Sequence, residues 1–386
     1  MRRPHRTWPQ RLLLTLNIAL VVVCLAAAGG VYWTYNQASA LPRIDVGASL
    51  SPSSEPGEAQ NILLVGIDDG SGLEAGDPVL KGRTATLNTD TVMILRVDPQ
   101  TQQAALLSLP RDLYVNLAGG NSKGRINTAL ALGGPERLIE TIKQDFGIPI
   151  NHYAMVDFHG FEALVSAVGG VPVYFNYPSR DQKTGLFQYD PGCVTLDGDQ
   201  ALAYARSRHF EIQKSPNGRW QEDPASDLGR ITRQQQFIKA ALRKAVSTGV
   251  RNPFVLKDLV GIAQKNVTLD TEFSIQDLID LGMQFREFDP DQLQTYQPQV
   301  TDTTVGAMSV LSLDQAASAP IFDIFRGVTP IPTVPAGVAS TTSSSSTTAP
   351  STTAPGAPTT ATTSPPSTTT TLSDFIPQAP ESESCG

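Results

Sequence analysis

The sequence predicts an α/β domain with helices layered on a central sheet. Three observations carry that prediction: short β-rich runs bounded by turn residues, helix-period apolar patterns alternating with them, and one long amphipathic helix after them. Asn61–Val65 (NILLV) reads as a short buried strand. Thr91–Val97 and Ala104–Leu109 make two more, joined by the turn-forming Asp98–Pro99–Gln100. Pro135–Phe146 carries Leu138, Ile139, Ile142 and Phe146 at helical spacing. Tyr153–Phe158 resumes as a strand, Phe161–Val168 is a helix stopped by Gly169–Gly170, and Val171–Phe175 is again a strand. Gly198–Tyr204 reads as a short helix and Asp227–Val246 as the long one, with the pattern continuing through Ser274–Met283 to about Arg326. The chain has no internal repeat.

Both ends differ from this middle. From Leu12 to Trp33 the chain carries no charge, and a helix of about 20 apolar residues spans a bilayer. Arg2, Arg3, Arg6 and Arg11 precede the run and nothing basic follows until Arg43. The positive-inside rule then predicts a cytoplasmic N-terminus with the rest outside. Tyr32, Trp33 and Tyr35 suit an interfacial aromatic belt. A cleaved signal peptide is the rival, favoured by Ala26, Ala27 and Ala28, but the length of the run favours an uncleaved signal anchor. The expected organisation is a cytoplasmic N-terminus over 1–11, a transmembrane signal anchor over 12–35, a Ser-, Pro- and Gly-rich linker over 36–58, an extracytoplasmic domain over 59–327 and a tail over 328–386. The localisation this implies is the cell membrane, single-pass. Ala339 to Leu372 is almost wholly Ser, Thr, Pro, Ala and Gly, too poor in apolar surface to offset chain entropy, so the tail is expected to be disordered.

The formal charge is −8, and setting aside the four leading arginines leaves 25 basic (29 less 4) against 37 acidic residues, a net of −12. General nucleic-acid binding needs the opposite balance. Against that background any cluster of arginines is a candidate anion site. Cys24, Cys193 and Cys385 have no zinc-site spacing. A Cys193–Cys385 disulfide is open to an exported chain, but Cys385 ends the tail, and unpaired thiols or an external partner are the expected state. With only His5, His152, His159 and His209 present, neither a histidine-based triad nor a histidine-ligated metal is expected.

Polar segments interrupt the scaffold at strand ends and at one helix start. Gly66–Ile67–Asp68–Asp69–Gly70 follows the first strand, and Asn88–Thr89–Asp90–Thr91 precedes the second. Two carboxylates at one sheet edge make a hard oxygen site suited to Mg²⁺, although Asp at strand ends is commonly a turn or cap residue. Ser108–Leu109–Pro110–Arg111–Asp112 ends a strand on proline and presents an arginine beside an acid. Ala205–Arg206–Ser207–Arg208–His209 follows the short helix. Asp227-Leu-Gly-Arg230-Ile-Thr-Arg233-Gln234 opens the long one, where Arg230 and Gln234 share a face. Arginine suits bidentate phosphate recognition. The competing reading pairs these arginines with the acidic surplus as surface salt bridges worth little each, and that is the expected role of Arg233.

The strings NILLVGID, NTDTVMIL, SLPRDLYV, GRINTALALGG, YAMVDFHGFEALVSAVGGV, LDGDQALAYARSRH and DLGRITRQQQF occur in an order that resembles a LytR-CpsA-Psr domain. The likeness is close from Gln60 to Val246 and looser to about Arg326. It implies a three-layer α/β/α domain with a central mixed sheet, an apolar pocket for a polyprenyl chain, and arginines gripping its pyrophosphate. At the matching positions, Asp68 and Asp90 would be metal-associated carboxylates for Mg²⁺ or Mn²⁺. Arg111, Arg125, Arg206, Arg208, Arg230 and Gln234 would surround the pyrophosphate. Arg111, Asp90 and Asp112 form the implied catalytic group, with Asp112 preferred as an arginine-orienting partner over a base for the acceptor hydroxyl. Asn88 and Gly70 depart from arginines common in the family, and the expanded stretch Phe210–Ser226 reads as a variable surface loop.

The implied reaction moves a glycopolymer from a polyprenyl-pyrophosphate donor to peptidoglycan, a phosphotransferase step of cell wall assembly. No residue reads the glycan, so arabinogalactan, teichoic acid and capsule all stay open. A pyrophosphohydrolase acting on the same lipid and a noncatalytic tether for lipid-linked glycan are the alternatives. No DNA-binding motif supports direct transcription control.

Overall fold

The computed structural model describes residues 43–52, 57–67, 89–248, 267–274, 277, 280–281, 284–285, 288–333, 375 and 385. In chain order the elements are β1 (Arg43–Ile44), β2 (Gln60–Ile67), β3 (Thr89–Asp98), β4 (Gln103–Leu109), β5 (Tyr114–Asn116), β6 (Lys123–Arg125) and α1 (Thr128–Phe146). They continue as β7 (His152–Val156), α2 (Phe158–Ala167), β8 (Val171–Phe175), β9 (Ser179–Asp181), β10 (Leu186–Gln188), β11 (Gly192–Leu196) and α3 (Gly198–Arg206). The remainder are β12 (Glu211–Ile212), β13 (Gln221–Glu222), α4 (Ser226–Thr248), β14 (Val267–Asp270), β15 (Gln294–Tyr296), β16 (Val300–Val305), β17 (Met308–Leu313) and α5 (Gln315–Phe325).

Seven strands form the central sheet in the order β1-β14-β7-β2-β3-β4-β15. It is mixed: β2 runs parallel to β7 and antiparallel to β3, which is antiparallel to β4. Alternation of side chains gives each strand two faces. Leu63, Val65, Val92, Ile94, Ala105 and Leu107 point into one apolar cluster, covered by Leu138, Ile139, Ile142 and Phe146 of α1 and by Phe322 and Phe325 of α5. Ile62, Met93, Ala104 and Leu106 point into another, which Ile238 of α4, Phe273 and Phe288 help to close. Burial of both sheet faces makes the three layers. A third cluster joins Val165 of α2, β8, β11, Tyr204 of α3 and Phe237 of α4.

Local signals account for the boundaries. The run expected as strand Tyr153–Phe158 stops at Val156, because Asp157 caps α2 by accepting from the Gly160 amide at 2.6 Å. Asp197 and Gln200 form a capping box at the start of α3. In α1, Gly133 and Gly134 (φ 69°) leave helical geometry and Pro135 restarts it, so the helix read from Pro135 gains one earlier segment. The stretch Phe210–Ser226 is not simply a surface loop. Phe210 and Ile212 are buried, and β12 and β13 extend β10 and β9 into a four-stranded sheet of order β10-β9-β12-β13.

The ends of the chain also require corrections. Among the described residues no helix is long and apolar enough to cross a membrane. The expected transmembrane signal anchor over 12–35 lies outside the described residues, so neither it nor the single-pass, extracytoplasmic placement built on it has a counterpart among them. At the other end, Ile331 is buried in the first cluster and Phe375 in the third, and Cys385 is bonded to Cys193 across 192 positions. Unpaired thiols were the wrong expectation for these two cysteines.

Asp270, at the end of β14, is fully buried and accepts from the amides of Tyr153, Glu272 and Phe273, each at 2.8 Å, with His152 Nδ1 3.4 Å away. Burial alone would raise its carboxyl, but the His152 contact and the Tyr153 and Phe273 amides outweigh it and hold the pKa below the usual value. A depressed carboxylate stabilises the fold above the unfolded value of about 3.9, and that contribution is lost as pH falls through the folded value. Asp270→Ala is expected to cost about 2–3 kcal/mol at neutral pH by stranding buried amides. The deficit relative to the parent should shrink in acid. Urea melts at pH 7 and pH 3 check both, and an unchanged midpoint at pH 7 would exclude the role.

Candidate functional site

The sheet register assembles the site. Ile67 pairs with Thr89 across a bulge at Gly66/Ile67, which places the start of β3 at the sheet edge with Asp90 next in sequence. Leu109 pairs with Val92, so the chain leaves β4 through Pro110 and delivers Arg111 beside Asp90. The β5–β6 hairpin pairs Arg125 with Tyr114, bringing Arg125 back toward Asp112. The C-terminal end of α3 supplies Arg206 and, beyond it, Arg208. The first turns of α4 supply Asp227, Arg230 and Gln234.

These side chains interlock. Arg111 Nη1 donates to Asp90 Oδ1 at 2.7 Å, and its Nε lies 3.5 Å from Asp112 Oδ2. Asp112 also meets Arg125 Nη1 at 3.3 Å and Arg208 Nη2 at 4.0 Å, so one carboxylate holds three guanidinium groups. Asp227 Oδ1 lies 3.0 Å from both Arg208 Nε and Arg230 Nη2. Arg230 Nη2 donates to the Asp90 carbonyl at 3.1 Å, and Gln234 Nε2 donates to the Ala205 carbonyl at 2.8 Å and lies 3.3 Å from Thr91 Oγ1. Arg206 sits with Cζ 4.5 Å above the Phe158 ring.

Among the described residues of this constellation, Arg111, Arg125, Arg208 and Arg230 meet Asp90, Asp112 and Asp227. The pairing is electrostatic more than directional. Although Asp227 Oδ1 is within ion-pair distance of two arginines, neither of its oxygens has a hydrogen bond of good geometry, and neither does Nε of Arg111, Arg125, Arg208 or Arg230. Buried donors in this state favour an anion with several oxygens. Burial would lower the Arg111 guanidinium, but the combined fields of Asp90, Asp112 and Asp227 raise it above its ordinary value. Arg230 is almost wholly buried, and burial lowers its pKa despite Asp227 and Asp90, with Arg111 and Arg208 adding repulsion.

Of the expected site residues, Asp90, Arg111, Asp112, Arg125, Arg208, Arg230 and Gln234 come together and Arg206 adjoins them in the chain; Asp68 lies outside the described residues. Asp227 went unassigned in the sequence reading, although an acid three residues before Arg230 on one helix face was a usable signal. Arg233 is the clear correction. It is fully buried, not a surface ion pair: Nη1 meets Asp223 Oδ2 at 2.5 Å, Nη2 donates to the Ser207 carbonyl at 2.9 Å, and Cζ lies 4.4 Å from the Phe210 ring. The pair packs so closely on Gly229 that a side chain there would overlap the Asp223 carboxylate.

An α/β/α domain with an arginine-rich, carboxylate-braced anion site is the class these features define. The LytR_cpsA_psr family model matches residues 34–325, and the chain belongs to that family. The polyisoprenyl-teichoic acid–peptidoglycan teichoic acid transferase TagU of Oceanobacillus iheyensis is 32% identical over 290 residues, 70% of this chain and 79% of that protein. The probable cell wall biosynthesis protein LcpB of Corynebacterium glutamicum is 33% identical over 252 residues, 64% of this chain and 56% of that one. Among solved structures, the LytR-Csp2A-Psr enzyme of Actinomyces oris superposes with a TM-score of 0.56 at 25% identity, covering 74% of this chain and 95% of that one. The relationship supports an enzyme of the same general class, a cell wall transferase.

Proposed function

We propose that this protein transfers a glycopolymer from a polyprenyl-pyrophosphate donor to a hydroxyl of peptidoglycan. The observation that carries the proposal is the gathering of Arg111, Arg125, Arg208 and Arg230 on Asp90, Asp112 and Asp227 at the strand ends, with their four guanidinium Nε atoms lacking well-formed hydrogen bonds. In the proposed step the acceptor oxygen bonds to the sugar-linked phosphorus, the bond from that phosphorus to the bridging oxygen breaks, and polyprenyl phosphate leaves. The acceptor proton passes to a base or to solvent. Phosphoryl transfer depends on positioning and charge neutralisation more than on covalent help. Arg111, Arg125, Arg206, Arg208, Arg230 and Gln234 would bind and orient the pyrophosphate. The three guanidinium groups around Asp112 favour an orienting role for that carboxylate. The third apolar cluster leads along α3 to Arg206, a direction from which an isoprenoid tail would bring its apolar surface out of water. With labelled donor and peptidoglycan, the polymer should become covalently attached. Release of free polymer would favour the hydrolase, and polymer left intact on lipid would favour the tether.

Mg²⁺ or Mn²⁺ fits Asp90 in kind, a partly exposed carboxylate at a strand start whose neighbour Thr89 pairs with Ile67, the residue before Asp68. Asp90 and Asp68 would hold the ion, since Mg²⁺ takes one or two carboxylates and leaves its other positions to water and phosphate. Among the described residues no group of three His, Cys, Asp or Glu could hold a metal by itself. The cation would supply positive charge to the pyrophosphate, offsetting repulsion from the carboxylates. Chelation is expected to suppress transfer strongly and added Mg²⁺ to restore it. Asp90→Asn should lose most of that response. Transfer indifferent to chelation, with Asp90→Asn as active as the parent, would leave the arginines alone as the pyrophosphate site.

A further inference from the structure

We infer that the outer face of the four-stranded sheet is a glycan-binding platform that presents a peptidoglycan strand to the arginine cluster, an inference that rests on the transfer reaction proposed above. On β10, Leu186 turns into the third apolar cluster, whereas Phe187 is 51% exposed and Tyr189, just beyond the strand, 59%. Their rings lie nearly parallel, with centroids 6.2 Å apart and planes 25° apart, and Trp220 meets Tyr189 edge-on at 6.5 Å. Among the described residues these two are the aromatic members of the exposed large apolar group, and they stand side by side. Apolar area left in water forgoes about 25 cal/mol per Å², so adjacent exposed rings call for a ligand.

The same face is strongly polar. Arg180 pairs in register with Phe187 on one side and Glu211 on the other, and Glu211 pairs with Glu222. Arg180 lies 4.1 Å over the Trp220 ring and donates to Glu211 Oε2 at 2.7 Å. His209 joins Glu222 at 2.5 Å and Lys183 at 2.8 Å. Rings interleaved with donors and acceptors match a pyranose, which has a C–H face and a hydroxyl rim. A lipid interior would instead have to desolvate these charges. The platform is continuous with the arginine site because His209 follows Arg208 directly. Buried Asp181, closing β9, accepts from Ser207 Oγ at 2.8 Å and from the His209 amide at 2.9 Å, fixing the two surfaces together.

The test uses the whole chain and a soluble N-acetylglucosamine–N-acetylmuramic acid oligosaccharide, titrated calorimetrically without donor. The Phe187→Ala/Tyr189→Ala double variant should bind it at least about tenfold more weakly, since stacked rings contribute measurably. In transfer assays its KM for peptidoglycan should rise by a similar factor, with kcat and donor binding near those of the parent. Unchanged oligosaccharide affinity and KM would overturn the platform. So would a loss confined to phosphatidylglycerol vesicles, which would assign the face to a membrane. If the parent binds oligosaccharide but transfers nothing, the reaction fails and the platform stands. Should the double variant not fold, Tyr189→Ser is read in the same way.

Discussion

Arg111→Ala is expected to lower polymer transfer by about 10²–10³-fold, the effect of removing one preorganised donor from a site of developing charge. Arg111 touches both Asp90 and Asp112, so it lies between the proposed metal-side carboxylate and the one that orients Arg125 and Arg208. Both carboxylates are 18% exposed and water can replace the lost partner, so the stability cost should stay near the surface-pair range of about 1 kcal/mol or less. Arg111→Lys should recover only part of the rate, because an ammonium cannot reproduce the planar fork. Initial rates at saturating donor, set beside thermal melts, separate these effects. A folded Arg111→Ala protein with near-parental rate would remove Arg111 from the site.

The largest effect on stability is expected at the buried pair beneath the site. Arg233→Met leaves the Asp223 carboxylate, 1% exposed, without its partner and strips the Ser207 carbonyl of a donor. Breaking a buried pair from one side costs about 3–5 kcal/mol. Because Ser207 sits between Arg206 and Arg208, transfer should fall as well. Asp223→Leu combined with Arg233→Met should be less damaging than either change alone, since neither charge is then stranded. Chemical denaturation of the four proteins gives the coupling. A single-variant loss below about 1 kcal/mol would show that water reaches the pair.

Much of the domain was legible because its signals are local. β2, β3 and β4 were readable from β-rich runs between turn residues, and Arg111, Arg208 and Arg230 from short motifs at element ends. What stayed hidden depends on distant partners. Arg233 resembled any helix arginine, and only the fold of Phe210–Ser226 brings Asp223 against it. Asp181 and Asp270 belong to none of the motifs, yet each accepts from groups far along the chain. The Cys193–Cys385 bond joins positions 192 apart, a distance that no spacing rule bridges.

That bond changes the topology of the chain's end. Ile331 and Phe375 are both seated in buried clusters, and Cys385 is welded to β11, so the Ser/Thr/Pro-rich stretch between them is fastened at both shores. It is a closed lasso, not a loose rope. A single peptide cut within 334–374 would open the ring without freeing its far end, because the severed piece stays attached through Cys193. Insertions or deletions in that stretch would resize the noose and leave its knot in place.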